Sequence, residues 1–419
     1  MNQIFHRNKY KILIVPIEET NIIYVQSFIL SGRMNEDKET SGISHLLEHI
    51  LTESWKKCKD DCAKYWGNKG IITNASTGDT TVNYYVEGLE KNYHELIEYI
   101  VKITTAPQFK DSRIEVEKKA VKEELKRELN DEGWKIANKV SKLLYNHEGL
   151  QSSNNLPLQI DNLKYLNKEK LVDYCKKIYT PKNILFIVSG DVNETKILKV
   201  FEKFLPKNQP FGTKNIQCDV FNNIKKPITR FIKKKNAKIA EIIIAFAPKI
   251  YPWEEDYFYF DILVDLLCGG MHSLLMRRLR TELHLIYNVK VYLESEIIGT
   301  LATIETTGDQ EKTKQIIKAI KNVLKDLIQG NWSEQHIIRL KDKFLIRDEK
   351  VCKNNIFFGD YYGEQHLHQL YKSKPKITTT KQKRDLIKNL TKKKLLNVAK
   401  RVFTLNKMVT IYQCQTKQH

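Results

Sequence analysis

Short apolar-polar alternations open the chain and then give way to helical spacing. Runs rich in β-branched and aromatic residues near 10–17, 21–31, 71–77 and 80–87 predict strands. Thr81-Val82-Asn83-Tyr84-Tyr85-Val86 is a clear alternating run among them. Between the second and third runs the period changes. Ile43, Leu46, Leu47, Ile50 and Leu51 fall within one arc at about 100° per residue, and His45, Glu48 and His49 occupy the opposite arc. This predicts a helix over 41–52, anchored in a core by one face and turned to a cavity by the other. Ser41 or Ser44 can cap its start. Helical patterns follow near 91–104, 112–130, 133–146 and 168–178, then a strand near 183–190 and a helix near 193–204.

Pro206 to Gly212 is turn-rich, so a linker is expected at 206–226, between an N-terminal domain at 1–205 and a C-terminal domain at 227–419. The second half repeats the order of the first. Strands near 229–235 and 238–247 precede helices near 254–268 and 271–283. Strands near 286–295 and 299–307 then run into a helix near 310–329, as strand 80–87 runs into helix 91–104. Two similar α+β sandwich domains with mixed, mostly adjacent strands are the expected fold class.

The chemistry concentrates in His45-Leu46-Leu47-Glu48-His49, an H-x-x-E-H string. Positions i and i+4 of a helix share a face and lie about 6 Å apart along the axis. Both imidazoles can then reach one zinc ion at about 2.0–2.1 Å. Glu48, at i+3, points into the same volume and can act on a metal-bound water. The bland reading is a solvated helix face with two exposed histidines. A catalytic zinc needs a third protein ligand and an open position. The helical stretch Glu115 to Leu125 offers Glu117 and Glu124, seven residues and so about two turns apart on one face.

With these residues the chain resembles the pitrilysin family of inverzincin zinc peptidases, to which insulin-degrading enzyme and mitochondrial processing peptidase belong. Their pattern is H-x-x-E-H followed some 75 residues later by a glutamate ligand on a helix, and Glu124 follows His49 by 75 residues. The resemblance implies zinc ligation by His45, His49 and Glu124, with Glu117 supporting the site and Glu48 as general base. Asn74-Ala75-Ser76-Thr77 matches the edge strand with which the family pairs substrate backbone. Gly42-Ile43-Ser44 and Asn183 to Val192 also look family-like. In the second half, Arg280 and Tyr287, seven apart in Leu279 to Tyr287, match the family's arginine–tyrosine element, which implies contact with the substrate or its oxyanion. Two departures stand out. His284 takes the place of a usual glycine, and no Gly-Thr follows the motif in Leu51 to Trp55. The family architecture implies two similar domains forming half of a clam-shell chamber, with one zinc per chain. It also implies a homodimer, or a heterodimer with a related subunit, acting on short or unfolded polypeptides.

Composition adds the alternatives. The formal charge is +20, from 58 lysines and 12 arginines against 50 acidic residues. That skew, with many Asn and Ile, suggests an AT-rich coding sequence, and codon bias is the bland cause of the basicity. The densest stretch, Lys381 to Arg401, carries helical periodicity in Leu386, Ile387, Leu390, Leu395 and Leu396 and reads as the solvated face of a C-terminal helix. A basic nucleic-acid-binding protein is one alternative, although no recognised module accompanies the charge and no nucleic acid is expected as partner. A non-catalytic assembly subunit is the other. Seven scattered cysteines suggest no disulfide framework. Cys58 and Cys62, a helical turn apart, could pair or bind metal, but free thiols in a reducing compartment are expected. No signal peptide and no membrane span is read, so the location is cytoplasmic by default, with an organelle or virion left open.

Overall fold

Two mixed sheets organise the chain in the computed structural model, which describes residues 3–59, 61–131, 133–212, 220–234, 238–351, 354–371 and 377–415. The first sheet is built from β1 (Gln3–Arg7), β2 (Tyr10–Pro16), β3 (Ile22–Ile29), β4 (Ile72–Thr77), β5 (Val82–Leu89) and β6 (Ile184–Gly190), in the order β1-β2-β6-β3-β5-β4. Its pairings are antiparallel except β2 with β6. The second contains β7 (Ile228–Lys234), β8 (Ile239–Phe246), β9 (Ile286–Glu296), β10 (Gly299–Asp309) and β11 (Val409–Gln415), in the order β7-β11-β8-β10-β9. Again one pair, β7 with β11, is parallel. Without β1, the two sheets match strand for strand. Each has a late strand inserted beside the first, and each ends in an edge strand, β4 or β9. The expected α+β class with two similar domains is therefore what the chain forms. The strand β1 is an addition that the sequence pattern did not signal.

The helices of the first sheet that matter for the site are α1 (Ile43–Thr52), α2 (Cys62–Gly67), α3 (Tyr93–Thr105) and α4 (Asp111–Asn130). Strand β6 is buried along its whole length, and β3 is buried from Ile23 onward. Strands wrapped on both faces need cover on both. Part of that cover comes from far along the chain. The helix Asn355–Tyr371 packs on β2, β3 and β6. Gln26 donates to Asp360 Oδ1 at 2.8 Å, and glycines 359 and 363 let the helix approach Tyr24, Phe28 and Ile187. The helix α5 (Gly133–Leu144) does the converse. Ile136, Val140 and Leu144 pack with Ala245, Leu301, Val409 and Ile411 of the second sheet.

Contacts accordingly divide the chain into a unit of Met1–Asp131, Glu148–Gln217 and Val351–Ile377 and a unit of Glu132–His147, Cys218–Lys350 and Thr378–His419. A break at 206–226 would leave both exchanged helices with the wrong sheet, because periodicity marks an apolar face without saying which sheet it meets. Part of that stretch, 213–219, lies outside the described residues. Two further differences are local. The basic stretch 381–401 is two helices, Thr380–Lys388 and Lys392–Val402, with Thr391 capping the second through Lys394 N–H. The expected helix 271–283 narrows to a π-helical turn at Met276–Glu282.

Candidate metal centre

The motif helix behaves as its pattern demands. Ile43, Leu46, Leu47, Ile50 and Leu51 are fully buried, while His45, Glu48 and His49 are only half-buried. The cap differs from expectation. Gly42 occupies the N-cap with φ 95°, a left-handed conformation that favours glycine. Neither Ser41 nor Ser44 caps the helix. Instead the buried carboxylate of Glu36 accepts from Gly42 N–H at 2.9 Å through Oε2 and from Ser44 N–H at 3.0 Å through Oε1. A carboxylate reaching both donors satisfies two of the helix's orphan N–H groups and opposes the positive end of its dipole.

Helix α4 packs on α1 and brings up the two glutamates. Glu124 Oε2 lies 3.5 Å from His45 Nε2 and 3.5 Å from His49 Nε2. One ligand atom from each of these three residues lies within 4.8 Å of the others, and among the described residues this is the one such group. Two imidazole nitrogens and a carboxylate oxygen form a donor set suited to zinc with an open position. Seven residues earlier on the same face, Glu117 accepts at its Oε2 from His49 Nδ1, 3.2 Å away. Its other oxygen pairs with Arg113 Nη2 at 2.6 Å. That bond turns Nε2 of His49 toward Glu124. Glu48 stands outside the three, and Thr77 Oγ1 donates to its Oε2 at 2.5 Å.

Electrostatics fit the same assignment. Burial, with His49 and Arg33 adding to it, pulls His45 down to about 4, which leaves a neutral imidazole with a free lone pair. Burial opposes charge on His49 too. The Glu117 hydrogen bond and the Glu124 and Glu48 carboxylates outweigh it and hold that pKa above its ordinary value. Burial raises Glu48 above the usual carboxylate range despite the Thr77 hydrogen bond. A carboxylate raised in this way is better matched to passing a proton near neutral pH.

The remaining predicted residues fall on three other elements. Asn74, Ala75, Ser76 and Thr77 lie in β4, the edge strand of the first sheet, and β5 takes only one of its edges. Arg280 and Tyr287 belong to the second unit. The Arg280 guanidinium lies 4.5 Å from the Tyr287 ring centroid, and Tyr287 is 78% exposed at the start of edge strand β9. Arg280 sits in the π-helical turn, a distortion often found at functional sites. His284 has φ 50°, so it holds the left-handed conformation for which a glycine is the ordinary choice.

Some functional neighbours escaped sequence reasoning. Arg113 and Glu117 are four apart on one helix, a readable signal. Glu36, and the role of Thr77 toward Glu48, had none. Cys58 and Cys62 are joined as a disulfide rather than free; Cys175 and Cys268 are free thiols, and Cys218 and Cys352 lie outside the described residues. Among the described residues no helix is long and apolar enough to cross a membrane.

Comparison with known proteins gives matches to one peptidase family. Residues 12–155 match the family model "Insulinase (Peptidase family M16)", and residues 165–344 match "Peptidase M16 inactive domain". Together they account for most of the chain. An "Uncharacterized zinc protease" of Rickettsia felis is 22% identical over 375 residues, covering 84% of this chain and 87% of that protein. The mitochondrial-processing peptidase subunit beta of Neurospora crassa is 22% identical over 264 residues, 61% of this chain and 53% of that one. A crystal structure of a protease from Helicobacter pylori superposes with a TM-score of 0.82 at 18% identity, covering 99% of both chains, which speaks to the fold.

Proposed function

Because the chain belongs to the insulinase (M16) peptidase family, also called the pitrilysin family, we propose that it is a zinc-dependent endopeptidase acting on short or unfolded polypeptides. The observation that carries this reading is the cluster of His45, His49 and Glu124, with Glu48 on the same helix face but outside it. The site would hold one zinc per chain on those three residues. Bound there, the ion would acidify a water molecule and polarise a peptide carbonyl.

The chain's own residues supply the rest. The Thr77 hydroxyl engages Oε2 of Glu48, which leaves Oε1 to take a proton from the attacking water and return it to the leaving amine. The edge strand β4, through Asn74 to Thr77, offers its open backbone edge to an extended peptide as one more antiparallel strand. Glu117 orients His49 by fixing the tautomer of its ring. Arg280 and Tyr287 are assigned to the substrate's carbonyl oxygen or backbone, by likeness to the family element they match. On the same likeness, the working form pairs this chain with a second copy or a related subunit around a chamber. The motif half keeps every position the chemistry needs, which favours catalysis over a scaffold role.

Metal content and cleavage of a quenched peptide test the reading, with wild type and Glu48→Gln side by side. The expected result is about one zinc per chain in both proteins and cleavage only by wild type. Absence of zinc from both would refute the peptidase assignment.

A further inference from the structure

A second line of contacts leads away from His49 to the only disulfide among the described residues. Glu117 uses both oxygens, one on His49 Nδ1 at 3.2 Å and one on Arg113 Nη2 at 2.6 Å. Arg113 Nη2 also lies 3.3 Å from Oε2 of Glu53. That same oxygen accepts from Cys62 N–H at 2.8 Å. Cys62 opens α2 and is bonded to Cys58. The Glu117 and Glu53 side chains are 8% and 13% exposed, so each link is shielded from water. The geometry points to Arg113 as a positioning residue for His49, held in register by the Cys58–Cys62 bridge through Glu53, so that the thiol state of this pair sets the zinc affinity of the site. The inference rests on the zinc reading above.

The physical case is one of rotational freedom. A buried carboxylate that bonds a histidine ring with one oxygen can still swing about its own torsions. Arg113 removes that freedom by binding the other oxygen in a charge-assisted pair. Glu53 holds the same Nη2 of Arg113 from a second side, at 3.3 Å. Glu53 stays in place because a backbone N–H of a closed loop holds it. Outer partners of this kind typically change metal affinity by about 10–100-fold. Opening the bridge need not unfold the region. Trp55 stacks on Trp66 at 5.2 Å, Tyr65 and Tyr99 pack edge-on against both, and Tyr99 Oη donates to Thr52 O at 2.9 Å. These rings hold Trp55 before the bridge and Trp66 after it, so loss of the bridge loosens chiefly the placement of Cys62 N–H. In the reaction, a dithiol cleaves the Cys58–Cys62 bond. Two electrons and two protons pass to the chain as two thiols, and the dithiol becomes its cyclic disulfide.

Zinc affinity of the full chain, read by competition with a chromophoric chelator, tests the coupling through a cycle of Cys58→Ser/Cys62→Ser, Arg113→Ala and their combination. Apo-protein melting temperatures check that each variant folds. Arg113→Ala should bind zinc about 10–100-fold more weakly and the serine pair about 10-fold more weakly. The combination should be no weaker than Arg113→Ala alone. Glu53→Gln keeps an acceptor for Cys62 N–H but loses the ion pair, and should resemble the serine pair. Arg113→Lys should recover part of the affinity. Wild type reduced with a dithiol, then freed of it under argon, should match the serine pair and regain affinity on reoxidation. Additive losses, or a serine pair within twofold of wild type, would overturn the proposal while leaving the zinc site intact. A wild type that binds no zinc would overturn both.

Discussion

Replacing Glu36 by glutamine sets two physical effects against each other at the start of the motif helix. The carboxylate of Glu36 receives Gly42 N–H on one oxygen and Ser44 N–H on the other. Glutamine keeps one acceptor and turns the second into an NH2 group facing a donor. An unsatisfied buried N–H costs about 1–3 kcal/mol, and the remaining bond falls from charge-assisted to neutral strength, a further loss of about 1 kcal/mol. Against this, burial pushes the Glu36 carboxyl above its ordinary pKa despite both N–H bonds, so neutralising it returns part of the desolvation cost. The donor mismatch should win by about 2 kcal/mol, since the neutral amide cannot rotate to satisfy both N–H groups. That is roughly a 30-fold rise in the local opening constant at 1.4 kcal/mol per decade. Amide hydrogen exchange of peptides covering residues 42–52 reads it directly, with the exposed Glu39→Gln as control. Exchange within twofold of wild type, or slower, would show that Glu36 is tolerated by the helix rather than capping it.

Three other outcomes follow from the same structure. Zinc should raise the melting temperature of wild type and of Glu48→Gln, by about 2.7 kcal/mol of stability at a hundredfold excess over Kd, and should leave Glu124→Ala unmoved; an equal shift in all three would place the metal elsewhere. His368, buried in the helix Asn355–Tyr371, has its pKa pulled down to about 4 by burial, so the unfolded chain takes a proton there before the fold does. Stability should therefore fall as pH drops from about 6.5 to about 4, by about 3 kcal/mol from this group, and urea midpoints of His368→Gln should fall less over that window; parallel curves would refute the assignment. Ile136→Ala in α5 should cost about 2–5 kcal/mol by leaving a cavity against the second sheet, measured as a lower urea midpoint; a loss under 1 kcal/mol would mean that α5 is not part of that core.

Much of the centre was legible because its geometry is local. An i, i+3, i+4 spacing fixes where His45, Glu48 and His49 lie on one helix, and the apolar residues between them fix which side is buried. Seven residues likewise put Glu117 and Glu124 on one face of α4. The alternating runs and the repeated order of the second half carried the two-sheet plan in the same way, since side-chain period is a property of the strand itself. That Glu124 meets the two histidines came from resemblance, because nothing in the spacing of two helices says that they pack.

What the tertiary structure alone decided is of that second kind. The Glu36 cap, the Thr77 bond to Glu48 and the line from Cys62 through Glu53 to Arg113 join residues whose patterns are silent about each other. So does the exchange of α5 and the helix Asn355–Tyr371 between sheets. An amphipathic helix declares that it has an apolar face. Which of two similar apolar sheets it covers depends on packing complementarity, such as glycines 359 and 363 against Tyr24, Phe28 and Ile187, and that becomes visible only when the surfaces meet.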